Sequence, residues 1–356
     1  MGDRRTSGWG GQDRAELTEG AGLAEQGKPR RTTVADVARL AGVSAMTVSN
    51  VLNAPHRVSE PTVQTVRAAI EELGYMPNHA ARALSSGRSQ VIGLPLYLED
   101  DTFSEQNPGL GGFLHGLLGG LVKAAAVSGY GVHVTTPTEG ATEIALYERL
   151  IAARQVDAIV VLETMPKDER IEFLSQRRFP FVAFGRTGPQ HRQCWVDVDN
   201  ETSMVGIAQH LRSTGRGRAV YLATDSALPW VHQRQAGFLR EFPSAVVRSF
   251  GSLEAVAAYV AEADRPDVFV ADNDAYAVVA MRALQRRGIT VGEDVAVTGF
   301  NDFPFASMLD TPLTTARIPL RDIARCLFER ALREISGDTD QPGRLVTAPL
   351  VVRSSA

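Results

Sequence analysis

Apolar positions follow two different rhythms along the chain. Between Thr32 and Gly74 they recur at three- and four-residue spacing: Val37, Ala38 and Ala41, then Val48 and Leu52, then Val63, Val66, Ile70 and Leu73. That is the stripe of short amphipathic helices. From Gln90 onward the rhythm becomes short β-rich runs, VIGLPLY, VHVTT, AIVVL, FVAFG, AVYLAT, VFVAD and VAVTGF, separated by helical stretches such as FLHGLLGGLVKAAAVSG and EIALYERLIAAR. Strand alternating with helix predicts parallel sheets covered by helices on both faces. The runs outnumber the strands of one small doubly wound sheet, so two similar subdomains with a cleft between them are expected. The first 30 residues follow neither rhythm; rich in glycine and charge, they are expected to be a disordered lead-in and lack the apolar core of a secretion signal.

The helical segment has the punctuation of a helix-turn-helix. Thr33 is placed to cap a helix over 34–41, with Asp36 favourable in its first turn. Gly42 supplies the positive φ of a tight turn, Val43 plugs the angle between the helices, and Ser44 caps the second helix, where Val48 and Leu52 face inward. A third helix starts at Ser59-Glu60-Pro61 and stops at Gly74. The outer face of the second helix then carries Ala45, Met46, Thr47, Ser49 and Asn50. Asn50 can pair with adenine and Ala45 and Met46 can touch thymine methyls, whereas Thr47 and Ser49 suit phosphates. After the third helix, Asn78 caps a candidate helix HAARALSS, too short to be stable alone, in which Ala81 and Leu84 would face the minor groove and Leu84 would act as a wedge. The candidate DNA contacts are therefore Thr33, Ser44, Ala45, Met46, Thr47, Ser49, Asn50, Asn78, Ala81 and Leu84.

DVARLAGVSAMTVSNVLN followed by GYMPNHAARALSSGRSQVIGL resembles the head and hinge of the lactose-repressor (LacI/GalR) family of bacterial regulators. Later stretches, VDVDNETSMVGIAQHLRSTGRGRAVYLATD, RQAGFLREF, ADNDAYAVVAMRALQRRG, DVAVTGFNDFPFASML and TPLTTARIPL, resemble that family's landmarks in order. The resemblance implies a small all-α head joined to a periplasmic-binding-protein-like α/β core of two doubly wound parallel-sheet subdomains. The expected division is a lead-in over 1–30, a head over 31–76, a hinge over 77–89 and a core over 90–356. Within the core, one subdomain takes 90–188 and 318–345, the other 189–317 and 346–356. It also implies a homodimer that binds operator DNA in the cytoplasm, its affinity set by a small effector such as a sugar or related metabolite. Many members carry arginine where this chain has Asn50, which changes the base expected there.

Composition adjusts this picture little. With 44% hydrophobic residues and no apolar run near 18 residues, no membrane span is expected. The net charge of −4 does not advertise nucleic-acid binding, but 31–90 holds six basic residues against four acidic ones. So modest a surplus requires two heads for useful phosphate affinity. Cys194 and Cys326 have no metal or redox spacing, the histidines form no HxxxH pair, and neither metal nor cofactor is expected. The tail LVTAPLVVRSSA carries no leucine heptad, favouring a dimer over a coiled-coil tetramer.

Ligands of such sheets bind beyond the carboxyl ends of the strands. Candidate effector contacts are Arg234 in RQAGF, Asn273 after VFVAD, Asn301 at the end of VAVTGFN, Asp101 and Phe103 after the first strand, Arg186 after FVAFG, and Trp230. Arg234 could instead form a surface salt bridge, Trp230 could be a core residue, and Asp274 reads as a helix N-cap. The run PGLGGFLHGLLGG fails the GxGxxG register because position 114 is leucine, and close helix packing accounts for its glycines better. A solute-binding protein or an enzyme on the same core is the alternative, but no nucleophile elbow, HExxH or Walker lysine is present, so no catalysis is expected.

Overall fold

The computed structural model describes residues 32–53, 55–75, 87–96, 108–138, 140–186, 188–189, 194–339 and 342–356. Two compact units divide the chain, 1–78 and 79–356. The candidate residues Asn78, Ala81, Leu84, Asp101 and Phe103, and the lead-in over 1–30, lie outside the described residues.

Among the described residues the first unit contains α1 (Val34–Ala41), α2 (Ala45–Asn53), a 3-10 turn and α3 (Glu60–Glu72). Local chemistry sets these boundaries. The Asp36 amide donates to Thr33 Oγ1, and the Thr33 amide donates to Asp36 Oδ2 at 3.0 Å, a reciprocal cap that satisfies two orphan donors. Gly42 sits at φ 66 between the helices, and the Thr47 amide donates to Ser44 Oγ at 3.1 Å to start α2. Ser59 does not cap α3 as expected: its hydroxyl bonds the Thr62 hydroxyl at 2.8 Å, and Pro61 in the first turn removes one donor instead. The core is small, built on Val37, Val48, Val51, Val63, Val66 and Tyr75. Val51 is buried and Leu52 only partly so, a one-residue rotation of the expected stripe on α2.

The second unit contains two six-stranded sheets. The first is built from β1 (Val91–Pro95), α4 (Pro108–Val127), β2 (Gly131–Thr135), α5 (Glu143–Ala152), β3 (Ala158–Val161), α6 (Glu169–Gln176), β4 (Phe181–Phe184) and β5 (Trp195–Val198). The chain then enters the second through α7 (Asn200–Ser213), β6 (Ala219–Thr224), α8 (Pro229–Glu241), β7 (Val246–Phe250), α9 (Leu253–Glu262), β8 (Val268–Ala271), α10 (Asp274–Arg286), β9 (Ala296–Asn301) and β10 (Thr314–Arg317). It returns to the first with α11 (Leu320–Ile335) and β11 (Arg344–Val346) and ends in the second with β12 (Leu350–Val351).

The first sheet runs β11-β5-β4-β3-β1-β2 and is parallel throughout. The second runs β12-β10-β9-β8-β6-β7, with only β12 antiparallel. Every residue of β3 and β8 is buried, because helices cover both faces and the central strands can be continuously apolar. One expected boundary moves: β5, assigned to the second subdomain from its position after 188, pairs with β4 and β11 in the first sheet, so the crossover follows Val198. Likewise β11 runs to Val346, one residue past the expected 345.

Two features position the sheets. Asp157 accepts the Ser89 amide at 2.6 Å, the Ser89 hydroxyl at 2.9 Å and the Gln90 amide at 2.8 Å, pinning the chain where β1 begins. Gly116 and Gly120 of α4 serve close packing: a Cβ on Gly120 would lie 2.6 Å from that of Ala324 on α11, and one on Gly116 would lie 2.6 Å from Leu320 Cδ1.

Candidate effector cavity and DNA-reading helix

The carboxyl ends of both sheets converge on a cavity of about 330 Å³. From the first sheet come Leu162, Glu163 and Thr164 after β3, Phe184 to Arg186 at the end of β4, and Asp197 and Val198 on β5. The second supplies Thr224 on β6, Trp230 and Arg234 on α8, Asn273 before α10 and Asn301 on β9. Five sequence candidates, Arg186, Trp230, Arg234, Asn273 and Asn301, thus share one cavity although they span 116 positions from first to last.

Arg234 is the best-held of them. It is 6% exposed, which excludes a surface salt bridge. Its Nε donates to Asn200 Oδ1 at 2.9 Å and its Nη1 to the Asp272 carbonyl at 2.6 Å. The guanidinium lies 3.8 Å from the Phe300 ring centroid and 4.5 Å from that of Trp230. Burial pulls its pKa down to about 10, with the nearby Asp272 carboxylate opposing the fall, and it remains a cation at neutral pH. Its other terminal nitrogen, Nη2, has no hydrogen-bond partner among the described residues.

Asn273 is committed differently from its expected role. Its Oδ1 accepts the Tyr276 amide at 2.9 Å, making it the N-cap of α10; its Nδ2 donates to Asp272 Oδ1 at 2.8 Å and to Thr224 Oγ1 at 3.2 Å. Asp274, read from sequence as the cap, is instead fully buried, accepting the Thr315 hydroxyl at 2.6 Å and the Phe303 amide at 2.9 Å. Burial pushes its carboxyl up to about 6.

Asn301 keeps its amide free of protein hydrogen bonds among the described residues, and its backbone is unusual. Asn301 at φ 123 and Asp302 at φ 55 are consecutive non-glycine residues with positive φ, which costs roughly 1–3 kcal/mol per residue. The Asp302 carboxylate is held by Arg317 at 2.6 Å and Arg353 at 2.7 Å, contacts that stabilise the turn. Thr164 Oγ1 is buried on the opposite wall without a partner. Gly185, at φ 110, faces that hydroxyl so closely that any side chain there would collide with it.

Several cavity residues went unidentified in the sequence. Thr164 and Thr224 follow or end strands that were recognised, so the strand-end rule that found Asn273 could have found them. Asp197 lies on a four-residue strand with no alternation to reveal it; it accepts Arg186 Nε at 3.1 Å, and burial pushes its carboxyl up to about 6 against the pull of that guanidinium. Phe113 and Phe184 stack with ring centroids 5.5 Å apart. Phe113 belongs to the glycine-rich run, whose packing role concealed it.

On the head, α2 presents Ala45 and Met46 to solvent, Met46 being 70% exposed, with Thr47, Ser49 and Asn50 half-buried beside them. The Thr33, Ser44 and Thr47 hydroxyls are engaged in the caps, which leaves the outer face of α2 largely apolar and amide.

Residues 33–78 match the model of bacterial regulatory proteins of the lacI family, and residues 208–356 match a periplasmic binding protein-like domain. The HTH-type transcriptional regulator CelR of Thermobifida fusca is 33% identical over 351 residues, covering 92% of this chain and 98% of CelR. The chain belongs to the LacI family. The HTH-type transcriptional repressor PurR of Vibrio atlanticus (strain LGP32) is 28% identical over 327 residues, covering 88% of this chain and 94% of that one. A CelR–cellobiose complex superposes with a TM-score of 0.65 at 27% identity, over 92% of this chain and all of that one. The lac repressor dimer bound to operator and the anti-inducer ONPF gives a TM-score of 0.77 over 92% of this chain and 99% of that one; at 23% identity this likeness speaks for the fold. This LacI-family chain is therefore a DNA-binding transcriptional regulator, and its relatives are regulators of transcription rather than enzymes. No helix among the described residues is long and apolar enough to cross a membrane.

Proposed function

We propose that the chain is a cytoplasmic homodimeric repressor that releases or grips a palindromic operator according to a sugar bound in the cavity between its two sheets. The division into a head over 31–76, a hinge over 77–89 and a two-subdomain core belongs to the same proposal, with the first crossover after Val198. One observation carries it: a single cavity is lined by the buried, doubly hydrogen-bonded Arg234 guanidinium, the stacked pair Phe113 and Phe184, and the uncommitted Asn301 amide and Thr164 hydroxyl. Donors and acceptors ringed by aromatic surface suit a ligand with hydroxyl edges and C–H faces. That CelR is known in complex with cellobiose supports the sugar class.

On the DNA side, Ala45, Met46 and Asn50 read base edges, and Thr47, Ser49 and the amides at the N-termini of the helices capped by Thr33 and Ser44 meet phosphates. Asn78, Ala81 and Leu84 supply the hinge contacts. The effector shifts operator affinity only by its preference between the two cleft conformations. Acting through binding alone, the protein requires no metal or cofactor.

A mobility-shift titration of the full chain on its own promoter region, with and without a sugar panel, tests this. A retarded band whose midpoint moves with one sugar is expected. Equal affinity for promoter and scrambled DNA, unmoved by every sugar, overturns it.

A further inference from the structure

The cavity holds two guanidinium groups, each with a carboxylate close to it. Arg186 is bound through Nε to Asp197, whose side chain is 8% exposed. Behind Arg234 lies Asp272, fully buried, its carboxylate fixed by the Thr224 amide at 2.6 Å, the Thr224 hydroxyl at 3.0 Å and Asn273 Nδ2 at 2.8 Å. Glu163 also lines the cavity. Against two cations, therefore, stand two carboxylates on the wall and a third behind it.

Two helix N-termini at the cavity, the other ready source of positive potential, are occupied as well. The Asn273 side chain takes the Tyr276 amide at the start of α10, and the Asp199 carboxylate takes the Thr202 amide at 3.2 Å at the start of α7. At the start of α8, which has no side-chain cap, Pro229 brings no N–H and the Val231 amide goes to the Leu228 carbonyl at 3.1 Å. Among the described residues, what stays without a hydrogen bond is the Asn301 amide, the Thr164 hydroxyl, Arg234 Nη2 and the terminal nitrogens of Arg186, whose charge the Asp197 carboxylate balances.

Resting on the sugar-cleft reading above, we infer that the cavity selects an uncharged saccharide and rejects its phosphorylated or carboxylated counterparts, with Asp197 and Asp272 as the selectivity-determining residues. A phosphate or uronate group entering this space loses water and meets at least as many carboxylates as guanidinium groups. It therefore gains no net attraction to offset desolvation. A neutral hydroxyl pair accepts from Arg234 and donates to Asn301 without that loss, while its C–H face lies on the aromatic wall.

The experiment measures thermal shift and calorimetric binding of the full chain with matched pairs: glucose against glucose 6-phosphate and glucuronate, cellobiose against its phosphate ester, and inorganic phosphate alone. The same measurements on Arg234→Ala, Asp197→Asn and Asp272→Asn complete it. At least one neutral sugar is expected to raise the melting temperature, while its charged counterpart and phosphate leave it unchanged. In Asp197→Asn, which frees Arg186, the charged counterpart gains about tenfold in affinity relative to the neutral sugar. Asp272→Asn shows the same direction if it folds, and Asp197→Asn decides the matter if it does not. A charged member that binds the wild type as tightly as its neutral partner, with binding lost in Arg234→Ala, overturns the charge selection and leaves the sugar cleft standing. An unchanged neutral-to-charged ratio in Asp197→Asn also overturns it. No binding by any sugar, neutral or charged, sinks the sugar reading and this inference together.

Discussion

The reading face of α2 and the cavity between the sheets recognise by opposite means. On α2 Ala45 and Met46 are open to solvent, Met46 most of all, with Asn50 half-buried beside them, and the Ser44 and Thr47 hydroxyls are used to hold the helix. In the cavity the recognising groups are buried and almost all bonded to protein: Arg234 to Asn200 and Asp272, Asn273 to Tyr276 and Asp272, Arg186 to Asp197. A surface face can change its side chains with little effect on folding. A buried site cannot, because each recognition group is also a structural one, and its loss orphans a neighbour. Function and stability should therefore separate on the head and remain joined in the core.

Arg234→Ala should give the sharpest joint loss. Removing the buried cation leaves the Asn200 amide oxygen and the Asp272 backbone carbonyl without their donor, lowers core stability by about 3 kcal/mol and abolishes the sugar response. Calorimetric melting and a sugar-dependent mobility shift would measure both, and an unaffected melt with a lost response would break the comparison. Asn50→Ala should show the opposite separation: an unchanged melt, an unchanged sugar response and operator binding weaker by about 2 kcal/mol, read from titrations against operator variants.

A pH test addresses the buried carboxylate. Burial raises the Asp197 carboxyl from its ordinary 3.8 to about 6, so the native state binds the proton more tightly than the unfolded chain. The contribution of this group to stability is complete below the unfolded value and is lost as pH rises through about 6. Between pH 5 and 7 the wild type should lose about 1.4 kcal/mol more than Asp197→Asn does. Parallel curves from chemical denaturation at the two pH values would exclude the shift. The smallest effect should come from Ser44→Ala, which removes the cap of α2 and costs about 1 kcal/mol. It should appear as faster hydrogen exchange in α2 with no change at the cavity.

Legibility followed the distance over which each feature is held together. The caps at Thr33 and Ser44, the turn at Gly42 and the close-packed glycines of α4 were all readable, since each depends on residues within a turn or on one helix face. Seven of the strands were visible as apolar runs. β5 was not, because Asp197 interrupts its apolar run, and this moved the crossover. Arg234 was found through its motif, and Asn301 through its place at a strand end. Asp197, Phe113 and Phe184 were missed; Asn273, expected only in the cavity, also caps α10, and Asp274, expected to be that cap, is buried against Thr315 and Phe303.

The linear order of residues was enough to specify a DNA-reading helix pair, an α/β core and an arginine at the strand ends, because hydrophobic period, helix capping and turn chemistry act within a few residues. Folding in three dimensions assigned the commitments. Arg234 meets Asn200 and Asp272 from 34 and 38 positions away, and Arg186 meets Asp197 across two neighbouring strands. Which charges are compensated, which hydroxyl is left unpaired and which lobe receives β5 all depend on such long-range contacts. Their energies arise from burial and low dielectric, conditions that exist only once the sheets have closed around the cavity.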